Sequence, residues 1–530
     1  MKFAYWVIIA GLIIYLTAIR FWWLGEQSLW IDEGFSSLTS YFAMINNLVP
    51  IVGNETILWW YYYLHTLSQV FSFYIFGVND FAARLPSVIF SILLLGVLIL
   101  WLKNIFKDNN FTNIALYWGF LFLVLFYGFG EWMIIWSQQA RFYSLLALIF
   151  ITTAFFLYKY TFESKNKYFI YFGILAIIWI SFHPFNWSLV ALALIIIFYE
   201  FIEKYIVWNN KLTLKSLYSN FQIPIIIWSI WMFAYILSLI AGQWNILSFP
   251  NPTDIWNLSM HYAEFYNNHL LQELGWLTII FLGLLIRWWY QWKIKLALFF
   301  GWLFGINYYF ITSQWELMHS RYMFHLFPVI ILIGSYVVGN IINYIYTNYE
   351  NIKDPKNNIL KIWQTWILAL LIIMVVINYN RDFSLAEKRY IDHTSPQPDF
   401  QWAYQYINTN HQNPQIISWF PHLCYWYNKE NTSKCKYALP VNMTWRESSK
   451  ESLLSSEYER YSGVPYIHEL NKSKFEWKQV VLDNMSMNML IHSDIRDYIL
   501  ENCENTRNST AEGKRYNQIG VWECEENRAK

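Results

Sequence analysis

Long apolar runs dominate the first 380 residues and predict a bundle of membrane-spanning helices. A run of about 20 apolar residues crosses a bilayer core as a helix, and runs near this length recur through this part of the chain. The predicted spans are 3–24, 85–102, 112–130, 142–158, 168–182, 187–202, 222–241, 271–286, 296–312, 322–344 and 362–379. The pattern therefore favours an α-helical polytopic membrane protein with about eleven spans over residues 1–379.

One further run, residues 57–76, has a different pattern. Its sequence, ILWWYYYLHTLSQVFSFYIF, mixes large aromatic side chains with polar ones such as His65 and Gln69. Such a mixture is typical of a helix that lies in the membrane interface. We expect it to lie within the first loop, residues 25–84, with a twelfth span as the alternative.

The charges of the loops decide between these alternatives, because Lys and Arg accumulate on the cytoplasmic side. If 57–76 does not cross, the lysine-rich loops around residues 103–107, 159–167, 204–215, 287–295 and 353–361 share one side. The loops on the other side contain far fewer lysines. We therefore expect a protein of the cytoplasmic membrane with a retained first helix, a cytoplasmic N-terminus and an extracytoplasmic first loop.

Residues 380–530 contain no further spanning run and are rich in Asn, Lys, Glu and Ser. Short strands are predicted at 415–420 and 478–483, and helices at 398–409 and 493–503. This segment is expected to form a small C-terminal α/β domain on the extracytoplasmic side.

All four cysteines lie in this predicted domain: Cys424, Cys435, Cys503 and Cys524. An oxidising compartment would favour two disulfides, and proximity in sequence suggests Cys424 with Cys435 and Cys503 with Cys524. Free thiols are the alternative. A zinc site is not expected, since the chain has no CxxC spacing.

Composition agrees with the membrane class. Of the 530 residues, 56% are hydrophobic and 14% are charged, whereas about a quarter are charged in typical soluble proteins. The 31 Trp, 40 Tyr and 41 Phe suit many crossings of the membrane interface. The net charge of +1 gives no reason to expect nucleic acid as a partner.

Ionisable and polar residues gather at the predicted outer ends of the spans. The stretch SLWIDEGFSS, residues 28–37, carries the adjacent carboxylates Asp32 and Glu33. Other predicted outer loops add Glu55, Arg84, Glu131, Gln138, Gln139, Arg141, His183, Glu316, His319 and Arg321. An ionisable residue at a span end is costly unless it has a partner or a task. These groups could therefore converge on one pocket.

Five motifs follow one another in the same part of the chain: WIDEGFSS (30–37), FGVNDFAARLPSVIFSILL (76–94), WSQQARFYSLLAL (136–148), HPFNWSLVAL (183–192) and SRYMFHLFPVIIL (320–332). In their order and spacing, residues 1–345 resemble the GT-C glycosyltransferases of the protein O-mannosyltransferase type, which include bacterial aminoarabinose transferases and Rgt-like sugar transferases. The resemblance implies an enzyme that moves a sugar from a polyprenyl-phosphate donor to a glycan, lipid or protein acceptor outside the cytoplasm.

The resemblance also implies roles for particular residues. The Asp of the Asp-Glu pair is the base in these families, so Asp32 is expected to take the proton of the acceptor hydroxyl and Glu33 to orient neighbouring groups. Fixed cations would stabilise the departing phosphate, and the candidates are Arg141, Arg321, Arg84 and His183. Gln138 and Glu55 are further candidates. Glu55 stands near a position where relatives often carry His-Pro-Pro or Lys-Pro, whereas this chain has NETILWW at 54–60.

Each assignment has a structural alternative. Asp32 could cap a helix that begins near Gly34, and the three arginines could anchor helix ends or extend to the interface. His183 could simply end its helix before a proline. No cofactor is expected: the Asp-x-Asp pattern with which some related transferases bind a divalent cation is missing from EWMIIWSQQAR (131–141), although Asp32 and Glu131 could still bind an ion through oxygen.

Two other functions remain open. A ligase or oligosaccharyltransferase would move a preassembled glycan from a diphosphate lipid, and a transporter or assembly protein would do no transfer chemistry. A transporter should show internal repeats with interrupted helices near mid-membrane. We find no repeat, and the ionisable residues lie at one face, which favours the transferase.

Overall fold

The structure is a computed structural model of the chain. It describes residues 2–22, 24–25, 28–48, 51–52, 55–56, 60–108, 111–182, 187–203, 276–290, 293–314, 320–350, 399–440, 457–458, 464–483, 487, 490–507 and 519–524. All structural statements below concern these residues.

Helices make up most of the described chain. In order, they are α1 (Lys2–Phe21), α2 (Ile31–Ile45), α3 (Trp60–Phe76), α4 (Asp80–Asp108), α5 (Asn113–Phe129), α6 (Glu131–Ser137), α7 (Tyr143–Glu163), α8 (Asn166–Phe182), α9 (Trp187–Phe201), α10 (Trp276–Tyr290), α11 (Ile294–Gln314), α12 (Phe327–Glu350), α13 (Phe400–Asn410), α14 (Pro421–Tyr427) and α15 (Ser493–Asn502). A 3₁₀ helix, Ser320–Leu326, precedes α12. The strands are β1 (Ile51–Val52), β2 (Glu55–Thr56), β3 (Ile416–Ser418), β4 (Cys435–Ala438), β5 (Lys478–Asp483), β6 (Cys503–Arg507) and β7 (Ile519–Cys524).

Nine of the eleven predicted spans coincide with helices α1, α4, α5 and α7 to α12. The other two, 222–241 and 362–379, lie outside the described residues. Three described helical segments are long and apolar enough to cross a membrane: Asp80–Asp108, Tyr143–Glu163 and Met323–Tyr344. Four more are apolar but shorter: Ile9–Phe21, Asn113–Gly128, Ser188–Phe201 and Leu277–Trp288. The total of about eleven spans stays a prediction.

The chain divides into two compact units. The first contains Met1–Arg20, Ser87–Ser137 and Phe142–Phe383; the second contains Phe21–Pro86, Gln138–Arg141 and Ser384–Lys530. This grouping differs from the predicted division at residue 380. The first outer loop belongs with the C-terminal residues, because both contribute side chains to one hydrophobic core.

Aromatic packing stabilises the first unit. Trp101 is fully buried, and its ring lies 5.8 Å from the rings of Tyr158 and Phe300 and 6.3 Å from that of Phe299. Aromatic pairs at such distances contribute beyond the area that they bury. Some of the many aromatics are therefore packing groups inside the bundle.

The second unit contains a five-stranded mixed sheet with strand order β4-β3-β5-β7-β6. Strand β3 runs parallel to β4 and β5, whereas β7 runs antiparallel to β5 and β6. Disulfides join Cys424 to Cys435 and Cys503 to Cys524, with Cα–Cα distances of 6.0 and 4.2 Å. This is the pairing expected from their proximity in the sequence.

Helices α2 and α3 of the second unit are connected through the antiparallel hairpin of β1 and β2. Helix α3 begins at Trp60, three residues later than the predicted run. One of its faces exposes Phe71 and Tyr74, while the other buries His65 and Gln69. Both polar atoms of the Gln69 side chain form hydrogen bonds. Oε1 accepts from the hydroxyl of Ser40 in α2 at 2.6 Å, and Nε2 donates to the carbonyl of Ala83 at 2.8 Å.

Candidate active site

The Asp-Glu pair lies in the first turn of α2. The helix begins at Ile31, earlier than the predicted start near Gly34. The backbone N–H of Trp30 donates to Glu33 Oε2 at 3.2 Å, so the carboxylate that caps the helix is that of Glu33. The N-cap residue is Trp30, and Asp32 lies inside the first turn, so the alternative that Asp32 caps the helix is wrong.

Glu33 is fully buried and accepts hydrogen bonds from three directions. Arg84 donates from Nε to Oε1 at 2.9 Å and from Nη2 to Oε2 at 2.8 Å. The backbone N–H of Ala140 donates to Oε1 at 2.7 Å. Together with the bond from Trp30, these contacts satisfy a buried carboxylate, which would otherwise be costly. Glu33 thus joins α2, the start of α4 and the 138–141 segment.

Arg84 is equally buried, and within the described part of the chain it also donates to two backbone carbonyls. Nη1 donates to the carbonyl of Leu24 at 2.9 Å, and Nη2 donates to that of Ser28 at 3.0 Å. Its side chain has no exposed surface. A donor phosphate would have to displace Glu33 or these carbonyls in order to reach the guanidinium. The geometry therefore disagrees with a phosphate-binding role and gives Arg84 a structural one, which is to fix the chain that leads into α2.

Asp32 has the opposite surroundings. Its side chain is 29% exposed, and Oδ2 lies 3.7 Å from Nη2 of Arg141, whose side chain is 8% exposed. Arg141 Nη1 donates to Ser36 Oγ at 2.8 Å and to the carbonyl of Asp32 at 3.2 Å. Ser36 in turn donates to the same carbonyl at 3.1 Å. The guanidinium is thereby fixed on the face of α2 that carries Asp32.

The two neighbouring carboxylates differ because successive residues of a helix point about 100° apart. Glu33 turns into the unit, whereas Asp32 stays accessible next to a fixed positive charge. An accessible carboxylate can accept a proton from a bound hydroxyl group, and a fixed guanidinium can bind an anion. The arrangement thus places a partly exposed carboxylate and a fixed guanidinium side by side.

A buried histidine lies in the electrostatic field of Arg141. Burial, with the charge of Arg141 acting in the same direction, lowers the pKa of His65 from its ordinary value of 6.5 to about 3. Nε2 of His65 is buried and has no hydrogen-bond partner within the described part of the chain. The imidazole is therefore neutral at physiological pH and does not compete with Arg141 for anions.

The other predicted site residues lie at several different places along the chain. Gln138 is buried in the 138–141 segment beside Arg141. Glu55 lies in β2, Arg321 lies in the 3₁₀ helix before α12, and Glu131 is the first residue of α6. His183, Glu316 and His319 fall outside the described residues. Within the described residues, no group of three or more His, Cys, Asp or Glu side chains could hold a metal ion.

Two groups of the site were missed in the sequence. Ser36 accepts from Arg141, and the backbone N–H of Ala140 donates to Glu33. The spacing of Ser36, one helical turn after Asp32, could have indicated that they share a face. No sequence signal marks a backbone N–H donor.

An apolar cavity of about 880 Å³ lies separately in the first unit, between α9, α10 and α11. Its lining includes Ile195, Leu285, Leu298, Trp302 and Tyr309. It has the character of a site for a hydrocarbon chain, since apolar walls carry few groups that could bind polar ligands.

The arrangement of helices and sheet is shared with solved structures, and this likeness agrees at the level of the fold with the resemblance predicted from the motifs. Among solved structures, the chain is similar to ArnT from Cupriavidus metallidurans. With ArnT bound to undecaprenyl phosphate, the TM-score is 0.52 at 12% identity, over 98% of this chain and 98% of that chain. With ArnT in the apo state, the TM-score is 0.54 at the same identity and coverage. No family model and no curated protein matches the sequence.

Proposed function

We propose that this protein is a membrane glycosyltransferase that moves a sugar from a polyprenyl-phosphate donor to an acceptor hydroxyl on the extracytoplasmic side. The observation that carries the proposal is the pairing of Asp32, an accessible carboxylate, with the fixed guanidinium of Arg141 at 3.7 Å. The GT-C fold supports it. The hydrophobic composition of the chain agrees with a lipid-linked donor.

The proposed reaction is a single displacement with inversion at the anomeric carbon. The acceptor oxygen forms a bond to this carbon while the bond from the carbon to the phosphate oxygen breaks. The hydroxyl proton goes to Asp32, and the bonding electrons leave with the polyprenyl phosphate. A positioned carboxylate base contributes about a hundredfold to ten-thousandfold in rate, so Asp32 supplies a substantial part of the acceleration.

The departing phosphate gains negative charge, and Arg141 lies where it can stabilise that charge. Its bonds to Ser36 and to the carbonyl of Asp32 hold it in place without neutralising it. Arg321 and His183 remain proposed phosphate-binding residues. Glu33 and Arg84 act as positioning residues, because both are buried and bonded to each other.

The polyprenyl chain needs an apolar site, and the cavity between α9, α10 and α11 is the proposed one. A solved structure with this fold, ArnT from Cupriavidus metallidurans, is described as bound to undecaprenyl phosphate. We propose the same class of lipid, a long polyprenyl phosphate, for this chain. The acceptor is a glycan, a lipid or a protein, and the C-terminal domain is proposed to help select it.

Donor turnover by the purified protein in detergent tests the proposal. A panel of polyprenyl-phosphate sugars and their diphosphate counterparts is offered with lipid, glycan and protein acceptors, and released polyprenyl phosphate is measured. We expect the Asp32→Asn variant to lose at least about a hundredfold in turnover while it keeps its melting temperature. Asp494→Asn, at an exposed position of α15, is the control for the loss of a carboxylate.

Three results would overturn the proposal in different ways. Equal turnover by wild type and Asp32→Asn would make Asp32 structural. Consumption of diphosphate donors alone would identify a ligase. Consumption of no donor by a folded protein would favour a transporter or assembly protein.

A further inference from the structure

We propose that helix α14 of the C-terminal domain positions the catalytic helix α2, with Tyr427 as the principal positioning residue. The C-terminal domain is then a component of the active site and does more than select an acceptor. All of the contacts behind this inference lie within the second unit.

The hydroxyl of Tyr427 joins three polar groups of the first outer loop. It accepts a hydrogen bond from the backbone N–H of Leu29 at 2.8 Å and donates to Asp80 Oδ2 at 3.0 Å. It also lies 3.2 Å from Ser28 Oγ. Leu29 is fully buried and comes two residues before the start of α2. Tyr427 therefore holds the segment from which the catalytic helix begins.

The same side chains connect to the buried ion pair of the site. Asp80, at the first position of α4, also accepts from the indole N–H of Trp426 at 2.7 Å. One turn later, α4 carries Arg84, which donates two hydrogen bonds to Glu33. Helix α14 thus fixes both the segment before α2 and the helix whose arginine holds α2.

Close packing adds a second, independent contact between α14 and α2. Gly34 follows the Asp-Glu pair, and a Cβ atom at this position would lie 2.2 Å from Cδ2 and 3.0 Å from Cγ of Leu423. Leu423 is one turn before Tyr427, so both project from the same face of α14. The side chain of Leu423 occupies the space that the glycine leaves, which brings the two helices together directly behind Asp32 and Glu33.

A matched pair of tyrosine variants tests the inference. Tyr427→Phe removes the hydroxyl that reaches the first loop. Tyr404→Phe removes a buried hydroxyl of the same domain, which bonds only Ser418 at 2.9 Å among the described residues. The first readout is deuterium uptake by residues 28–36, and the second is donor turnover. Only the second rests on the proposed function.

In Tyr427→Phe, we expect the backbone amide hydrogens of residues 28–36 to exchange about tenfold faster than in wild type. The reason is that the buried N–H of Leu29 loses the hydroxyl that accepts its hydrogen bond. We also expect about a tenfold lower kcat with a smaller change in the donor KM, because the base loses its alignment. Tyr404→Phe should match wild type in both measurements. Equal exchange and equal kcat in the two variants would overturn the inference. A wild-type protein without turnover would refute the proposed function and leave the exchange comparison valid.

A second pair of variants covers the case in which Tyr427→Phe fails to fold. Gly34→Ala forces Leu423 away, whereas Gly96→Ala on α4 places its new methyl group where nothing lies within 4 Å. Both gain helix propensity to about the same extent. Faster exchange over residues 28–36 in Gly34→Ala alone supports the inference, and identical exchange in the two variants contradicts it.

Discussion

The carboxylate of Glu33 accepts hydrogen bonds from Nε and Nη2 of Arg84, at 2.9 and 2.8 Å, where neither side chain has any exposed surface. This pair holds α2 against the start of α4. Asp32, the residue before Glu33, is partly exposed beside Arg141. The two carboxylates of this Asp-Glu pair therefore have different surroundings, and we propose Glu33 as the anchor and Asp32 as the reactive carboxylate.

Removal of the anchor should destabilise the protein. Glu33→Gln leaves Arg84 charged and incompletely compensated in the interior, and loss of one partner of a buried ion pair costs about 3–5 kcal/mol. Thermal unfolding in detergent measures the loss. Glu163→Gln is the control, since Glu163 pairs with Lys159 and Lys165 at 22% exposure, where a pair contributes about 0–1 kcal/mol. Equal melting temperatures in the two variants would contradict the anchoring role.

The position of Arg141 should depend in part on the hydroxyl of Ser36. Ser36→Ala removes the acceptor that lies 2.8 Å from Nη1, and we expect donor turnover to fall about tenfold because a hydrogen bond to a charged group is lost. Thr39→Val is the matched control. Thr39 is as buried as Ser36, on the same helix, but its hydroxyl donates to the carbonyl of Phe35.

Both variants should melt close to wild type, so that turnover and stability can be separated. If Thr39→Val loses as much turnover as Ser36→Ala, the decrease reflects the helix itself, and the support of Arg141 by Ser36 is refuted. The salt dependence of the donor KM provides a further check, since a displaced guanidinium attracts a phosphate less strongly.

Much of the helical architecture could be predicted, because about 20 consecutive apolar residues leave few alternatives to a spanning helix. Nine predicted spans coincide with described helices. The predicted ends of helices were less accurate where a side-chain hydrogen bond determines the end. Helix α2 starts at Ile31, since Glu33 reaches back to the N–H of Trp30, and a prediction from apolar spacing does not include that bond.

The composition of the site was harder to predict than the helices. Asp32 and Arg141 were predicted because charge at span ends is costly. The same reasoning proposed a phosphate-binding role for Arg84, with which its buried bonds to Glu33 disagree. Its partner, Glu33, is 51 residues away, and a separation of this size cannot be inferred without the fold. Tyr427 was missed for the same reason, since it bonds Leu29 across 398 residues.

Stability should fall with acidification because of His65. Its pKa is about 3 in the folded state and 6.5 ordinarily, so the unfolded state binds more protons between these values. The stability that the neutral imidazole of His65 contributes is fully present above pH 6.5, and it is lost progressively as the pH falls toward 3. For this one group, the loss between pH 6.5 and 5 is about 1.5 kcal/mol.

The His65→Gln variant isolates this contribution, because glutamine does not titrate while the carboxylates still do. Melting temperatures of wild type and variant are measured in detergent from pH 7 to 5. We expect the melting temperature of wild type to fall more steeply with acidification than that of the variant. If both melting temperatures fall by the same amount, His65 is accessible to protons in the folded protein.

The two disulfides should differ in their effect on catalysis although they stabilise the protein to a similar extent. The loops they close, with separations of 11 and 21 residues, predict about 3 kcal/mol each. Cys424 lies in α14, which packs on α2, whereas Cys503 and Cys524 connect neighbouring strands β6 and β7. We therefore expect the Cys424→Ser/Cys435→Ser variant to lose donor turnover at temperatures where it is still folded, and Cys503→Ser/Cys524→Ser to keep it. Equal turnover per folded molecule in the two variants would mean that α14 keeps its position without its disulfide.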